Sequence, residues 1–190
     1  MHEDEELVSR IRRGDLEAFE ALYDKYRLPL YRTSLAISRD HATAEEILQD
    51  AFVRAYAAMD RVDASVSLSP WLHRIVVNLS YNWTNRKQQW PVALEEVLEG
   101  VPVGTSSSPE QAVEGSELCA IVREAVDSLS IKRRVVIVLY HLQGFSLQEI
   151  AYILDVPVGT VKSRLHYATK ALRARLRQDR RLREVLAYAS

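Results

Sequence analysis

Apolar positions along this chain recur at steps of three and four residues far more often than at steps of two, so the pattern predicts helices and no sheet. Behind Asp15, whose carboxylate suits an N-cap, Leu16, Phe19, Tyr23, Tyr26 and Leu30 mark one face of a helix. The stretch "TAEEILQDAFVRAYAAM" carries Ile47, Leu48, Ala51, Phe52, Ala55, Tyr56 and Met59 as a continuous stripe, with Thr43 and Glu46 spaced as a capping box at its start. A third helix is expected to take Ser69 as its N-cap and Pro70 in its first turn, where a missing N–H costs nothing. It turns Trp71, Leu72, Ile75, Val76 and Leu79 toward a core.

Farther on, "SELCAIVREAVDSLSIKRRVVIVLYHLQG" predicts two helices divided near Ser128 to Ser130. A short helix capped by Ser146 follows, with Leu147, Ile150, Ala151 and Leu154 on one face. After a turn at Asp155 and Val156, a helix starting at about Pro157 buries Val161, Leu165, Ala168 and Leu172. Two short helices joined by a tight turn, the second of them basic, make a helix-turn-helix.

Between the helical blocks, residues 91–117 hold three Pro, three Gly, a Ser triplet and six acids without a single base, the composition of a flexible acidic linker. The expected architecture is therefore all-α: two small helical domains, 1–90 and 118–190, joined by that linker. The formal net charge of −1 conceals a segregation along the chain. Residues 1–90 carry −2, the linker −6 and residues 118–190 +7, which marks the C-terminal third for polyanions. Cys119 is the only cysteine, so an internal disulfide and a cysteine zinc site are excluded and a reducing cytoplasmic address is expected. The most apolar run, "VVIVLY" at 135–140, is too short for a membrane span or a signal segment, so no membrane insertion is expected.

With Val161 and Leu165 inward, the last helix leaves Thr160, Lys162, Ser163, Arg164, His166 and Tyr167 outward or flanking, a mixture of phosphate donors and groups able to reach base edges. Nine basic residues against one acid between Val158 and Arg183 strengthen that assignment over a plain solvated helix closing a bundle. The helix from Trp71 to Trp90 combines aromatics with Arg74, Arg86 and Lys87, the composition that single-stranded DNA needs, although Trp71 itself falls on the core stripe. On the second helix Glu45, Glu46, Gln49, Asp50 and Arg54 form the polar face, which periodicity alone assigns to solvent. The five His fall in no metal-binding or triad signature and no phosphate-binding loop is present, so neither an enzyme nor a cofactor is expected.

At this point the residues resemble a family. "VDSLSIKRRVVIVLYHLQGFSLQEIAYILDVPVGTVKSRLHYATKALRARL" looks like region 4 of the extracytoplasmic-function sigma factors of the sigma-70 family. "DLEAFEALYDKYRLPLYRTSLAIS", "ATAEEILQDAFVRAYAAMDR" and "PWLHRIVVNLSYNWTNRKQQ" resemble region 2 in the same order. The resemblance implies a promoter-specificity subunit of bacterial RNA polymerase. Region 4 would read the −35 element as duplex through Thr160, Lys162, Ser163, Arg164, His166 and Tyr167, with Arg133 and Arg134 as auxiliary phosphate contacts, and would touch the β flap. Region 2 would capture the melted −10 strand, with Asn78 near the bases beside Arg74, Arg86 and Lys87 and with the loop from Asp63 to Ser69 shaping selectivity. Glu45, Glu46, Gln49, Asp50 and Arg54 would bind the β′ coiled coil of core polymerase, and the linker would thread through the enzyme. An anti-sigma factor is an implied further partner. In the family a basic residue often stands where this chain has Tyr167, and Gly where it has Asp155. The alternative is a stand-alone helix-turn-helix regulator, which would bind duplex DNA unaided, usually as a dimer.

Overall fold

The computed structural model describes residues 2–63, 67–89 and 109–182, and the side chains of 3–63, 67–84 and 118–182. The linker over 91–108, with its expected flexibility, the middle of the loop from Asp63 to Ser69, and the side chains of Arg86 and Lys87 lie outside the described residues. Among the described residues the chain is helical, without strands: α1 (His2–Arg12), α2 (Leu16–Ser38), α3 (His41–Ala58), α4 (Leu68–Gln89), α5 (Pro109–Asp127), α6 (Ile131–Ile137), α7 (Leu147–Leu154) and α8 (Val158–Gln178). A 3-10 turn, Met59–Arg61, follows α3, and a π-helical turn, Val138–Leu142, extends α6. No described helix is long and apolar enough to cross a membrane.

The first four helices enclose one core. Leu22 and Leu30 of α2, Ile47, Ala51 and Ala55 of α3, and Leu72 and Val76 of α4 are buried together, and Trp71 and Ile75 pack half-buried on the rim. Burying each large aliphatic side chain contributes roughly 1.5–3 kcal/mol, and this packing rather than helix propensity alone holds the four helices together. The pattern missed α1, a mostly charged helix that contributes only Leu7, Val8 and Ile11 to the core. Its Asp4 is buried and bonded by Lys25 Nζ at 2.8 Å and the Tyr26 hydroxyl at 2.7 Å. Burial pushes the Asp4 carboxyl up, but those bonds and the Lys25 charge together leave it below its ordinary value.

Three local expectations need correction. Thr43 does not cap α3: Asp40 does, accepting from the Thr43 N–H at 2.7 Å and from its hydroxyl, so the helix begins earlier at His41. Likewise α4 begins at Leu68, which places Ser69 inside its first turn, where its carbonyl accepts from His73. Leu16 and Tyr56, assigned to apolar stripes, stand 69% and 44% exposed. Asp15 caps α2 as expected, accepting from the N–H groups of Glu17 and Ala18 at 3.0 and 3.2 Å.

The second half packs against the first. Val135, Val136, Leu139, Phe145, Ile150, Ile153 and Val161 form a buried cluster that also takes in Ile37 of α2 and Val77 of α4. The end of the segment read as linker is already helical, because α5 starts at Pro109.

Candidate nucleic-acid interface

The helix-turn-helix is assembled by local signals. At the start of α7 the Ser146 hydroxyl accepts from the Glu149 N–H at 3.2 Å while the Glu149 carboxylate accepts from the Ser146 N–H at 2.8 Å, a complete capping box. Asp155 ends α7 in the left-handed region at φ 53°, a conformation that Asp tolerates better than most residues and that Gly adopts freely. Pro157 then stands at the N-cap of α8, its ring fixing φ for the chain's re-entry into helix. Val161 and Ala168, both fully buried, anchor α8, while Leu165 and Leu172 are half-buried.

That anchoring decides which side chains of α8 meet solvent. Lys162, Ser163, His166 and Tyr167 are exposed, and Thr160 and Arg164 are half-buried. Ser163 donates back to the Thr160 carbonyl at 3.0 Å. Arg133 of α6 is exposed with its guanidinium 5.9 Å from the centre of the Tyr167 ring, so it joins the α8 surface. Its neighbour Arg134 does not. It is 5% exposed and donates to the carbonyls of Ile37 at 3.1 Å and Leu129 at 3.0 Å, so in this arrangement it is a structural cation withdrawn from any phosphate, contrary to expectation. A further stripe went unnamed in the sequence: Lys162, His166, Lys170, Arg173 and Arg177 line one groove of about 620 Å³ together with Leu147 and Leu165. Steps of three and four residues between those five bases were the signal that could have found it.

On α4 the residues divide by face. Asn78 is exposed, as is Asn82 one turn on. His73, Val77 and Tyr81, at steps of four, turn instead toward the second half: the His73 ring meets Phe145 edge-on at 4.7 Å, and Val77 and Tyr81 join the shared cluster. Burial pushes the Tyr81 hydroxyl up in pKa, with the nearby charge of Arg164 pulling it back, so this candidate base reader lies close to α4. Arg74, half-exposed, contacts the helix-turn-helix. It donates to the Tyr152 carbonyl at 3.1 Å, lies 3.5 Å from the Asp155 carboxylate and sits 5.2 Å from the centre of the Tyr152 ring.

The polar face of α3 is where the pattern put it. Glu45, Glu46, Gln49 and Arg54 are exposed, and half-exposed Asp50 accepts from Arg54 at 2.9 Å along the helix. Val53 and Tyr56, 67% and 44% exposed, add apolar area there that the stripe had hidden.

Comparison with known proteins places these surfaces in context. The family model described as "Sigma-70 region 2" matches residues 22–90, and "Sigma-70, region 4" matches residues 119–172. The chain is 36% identical over 177 residues to "ECF RNA polymerase sigma factor SigW" of Bacillus subtilis (strain 168), spanning 90% of this chain and 95% of that protein. It is 33% identical over 178 residues to "ECF RNA polymerase sigma-E factor" of Escherichia coli (strain K12), spanning 89% and 92%. Among solved structures, the sigma factor RpoE in complex with the anti-sigma factor NepR from Bartonella quintana superposes with a TM-score of 0.64 at 26% identity, covering 85% of this chain and 99% of that one. CnrH in complex with the cytosolic domain of CnrY gives 0.70 at 24% identity, covering 93% and 99%, and shows the same fold.

Proposed function

The chain belongs to the extracytoplasmic-function group of the sigma-70 family and is an RNA polymerase sigma factor rather than an enzyme; from that premise we propose how its surfaces divide the work of promoter recognition. The helix-turn-helix half reads the −35 element as duplex through Lys162, Ser163, Arg164, His166 and Tyr167, with Thr160 and Arg133 on flanking phosphates. The α4 half holds the melted −10 strand through Asn78, Arg74, Arg86 and Lys87. Core polymerase takes the α3 face of Glu45, Glu46, Gln49, Asp50 and Arg54 on its β′ coiled coil, the second half on its β flap, and the linker between them. The protein works in the cytoplasm beside that enzyme, and an anti-sigma factor covers the same surfaces when transcription is held off.

The observation that carries this reading is the anchoring of α8: Val161 and Ala168 are buried, which leaves Lys162, Ser163, His166 and Tyr167 free for a major groove. A stand-alone regulator is not favoured, because a sigma-70 region 2 occupies residues 22–90 ahead of the helix-turn-helix.

Run-off transcription with core polymerase tests the assignment. Lys162→Ala is expected to lower initiation at a −35-dependent promoter about tenfold, the effect of losing roughly 1–3 kcal/mol at one base pair, with core binding unchanged. Undiminished initiation would take Lys162 out of the readout. Asp50→Arg, by placing a second cation beside Arg54 on the α3 face, is expected to weaken binding of core polymerase in a pull-down titration with the far-ultraviolet circular dichroism unchanged. Equal affinity would move the polymerase contact to another face.

A further inference from the structure

Helix α1, which the hydrophobic pattern missed, touches both ends of the connection that leads into α4. At the incoming end Arg12 donates from Nε to the Met59 carbonyl at 3.2 Å and from Nη2 to the Val62 carbonyl. At the outgoing end Asp4 accepts from the N–H of Leu68, the first residue of α4. The first N–H groups and the last carbonyls of a helix lack partners within it, and α1 supplies one to each side of this connection.

The anchors are themselves fixed. Asp4 is 7% exposed and held by Lys25 and Tyr26 of α2, while Leu7, Val8 and Ile11 seat the turns between Asp4 and Arg12 in the core. Val62 and Leu68, the residues gripped, are buried as well. Asp4 and Arg12 stand eight residues apart on α1, about 12 Å at about 1.5 Å per residue, whereas a chain from Val62 to Leu68 could extend to about 20 Å. The span across the connection is therefore set by α1 and not by the connection itself.

We propose that α1 is a positioning element for −10 recognition: Arg12 and Asp4 hold the turn after α3 and the start of α4 at a fixed separation, and that separation sets how strictly the first half discriminates among −10 bases. The proposal rests on the assignment of the −10 strand to α4 given above. It adds two residues that act through the backbone and not on the DNA. Recognition groups must be held within about 0.5 Å of their productive geometry, so a loosened support is felt in discrimination before it is felt in folding.

The test is transcription by the holoenzyme from a pool of barcoded templates randomised across the −10 and −35 elements, with transcripts counted by barcode. Arg12→Met keeps the length of an exposed side chain and removes both donors. It is expected to cut the preference for the best −10 sequence over its single-base variants about tenfold, with −35 preference, core binding and melting temperature as in the wild type. Arg12→Lys, with one ammonium to reach a carbonyl, should fall between the two. Asp4→Leu should relax the −10 preference in the same way, but it also strips Lys25 and Tyr26 of their acceptor and melts earlier, so Arg12→Met decides. An undiminished −10 preference in Arg12→Met, or −10 and −35 preferences that fall together, overturns the proposal. Failure of the underlying −10 assignment appears separately, as a wild-type −10 preference retained by Asn78→Ala, and removes the premise of the proposal with it.

Discussion

Lowering the pH from 7.5 to 5 is expected to remove about 2 kcal/mol of folding stability through His73 alone, rising to about 3 kcal/mol near pH 4. The ring is 1% exposed, and its Nδ1 lies 2.8 Å from the Ser69 carbonyl, which only a protonated Nδ1 can satisfy. That fixes the neutral tautomer and leaves Nε2 buried without a partner. Burial holds the pKa down to about 4 from 6.5, against the weaker opposite pull of the Ser69 bond. The unfolded chain therefore takes up a proton below 6.5 that the folded chain refuses until about 4. Stability is full above the upper value and falls through the window between the two. Urea unfolding of the wild type and of His73→Phe, which keeps an edge-on aromatic against Phe145, checks the sign and the size. The variant should flatten the pH dependence between 7 and 5 while keeping the loss at lower pH that depressed carboxyls such as Asp4 contribute. A wild type equally stable at 7.5 and 5 would mean that water reaches the ring.

Arg134→Ala is expected to cost about 3 kcal/mol, and Arg133→Ala less than about 0.5 kcal/mol, although the two arginines are adjacent. Truncating Arg134 leaves the buried carbonyls of Ile37 and Leu129 without their charged donor and opens a void between the two halves. Arg133 lies in solvent over the Tyr167 ring, where a cation contributes to phosphate binding rather than to folding. The pair thus separates stability from function. Arg134→Ala should shift the melting temperature down by about 8 °C, whereas Arg133→Ala should melt normally and weaken −35 binding with a shallower salt dependence. Comparable melting shifts in both variants would place Arg133 in the fold.

That contrast shows where sequence reading reaches and where it stops. Periodicity identified α2, α3, α4, α7 and α8 because each buries a stripe, it divided α5 from α6 near Ser128 to Ser130, and it located the turn at Asp155 because one apolar stripe ends there and another begins after it. It missed α1, whose core contribution of Leu7, Val8 and Ile11 is too brief to stand out among charges. Capping was legible where one candidate stood alone, as at Asp15 and Ser146, and ambiguous where Asp40 and Thr43 competed, since either could accept the first free N–H groups. Stripes give a face but not what covers it, which is why Leu16 and Tyr56 emerged into solvent. Nothing local distinguishes Arg133 from Arg134, or sends Arg74 to a carbonyl 78 residues away. Such contacts belong to the packing of one half on the other, which no window of the sequence contains.

The chemistry of that packing has a consequence for evolutionary drift. The donors that cross between the halves, Arg39, Arg74, Arg134 and Gln143, reach the backbone carbonyls of Asp127, Tyr152, Ile37 and Pro29. A carbonyl is present whatever side chain its residue carries, so substitutions at the accepting positions leave these bonds available, and only the donor codons are held to them. Related chains could therefore change side chains at these acceptor positions without losing the carbonyl bonds themselves, although the buried Ile37 and the carboxylates of Asp127 and Asp155 add side-chain contacts across the same boundary.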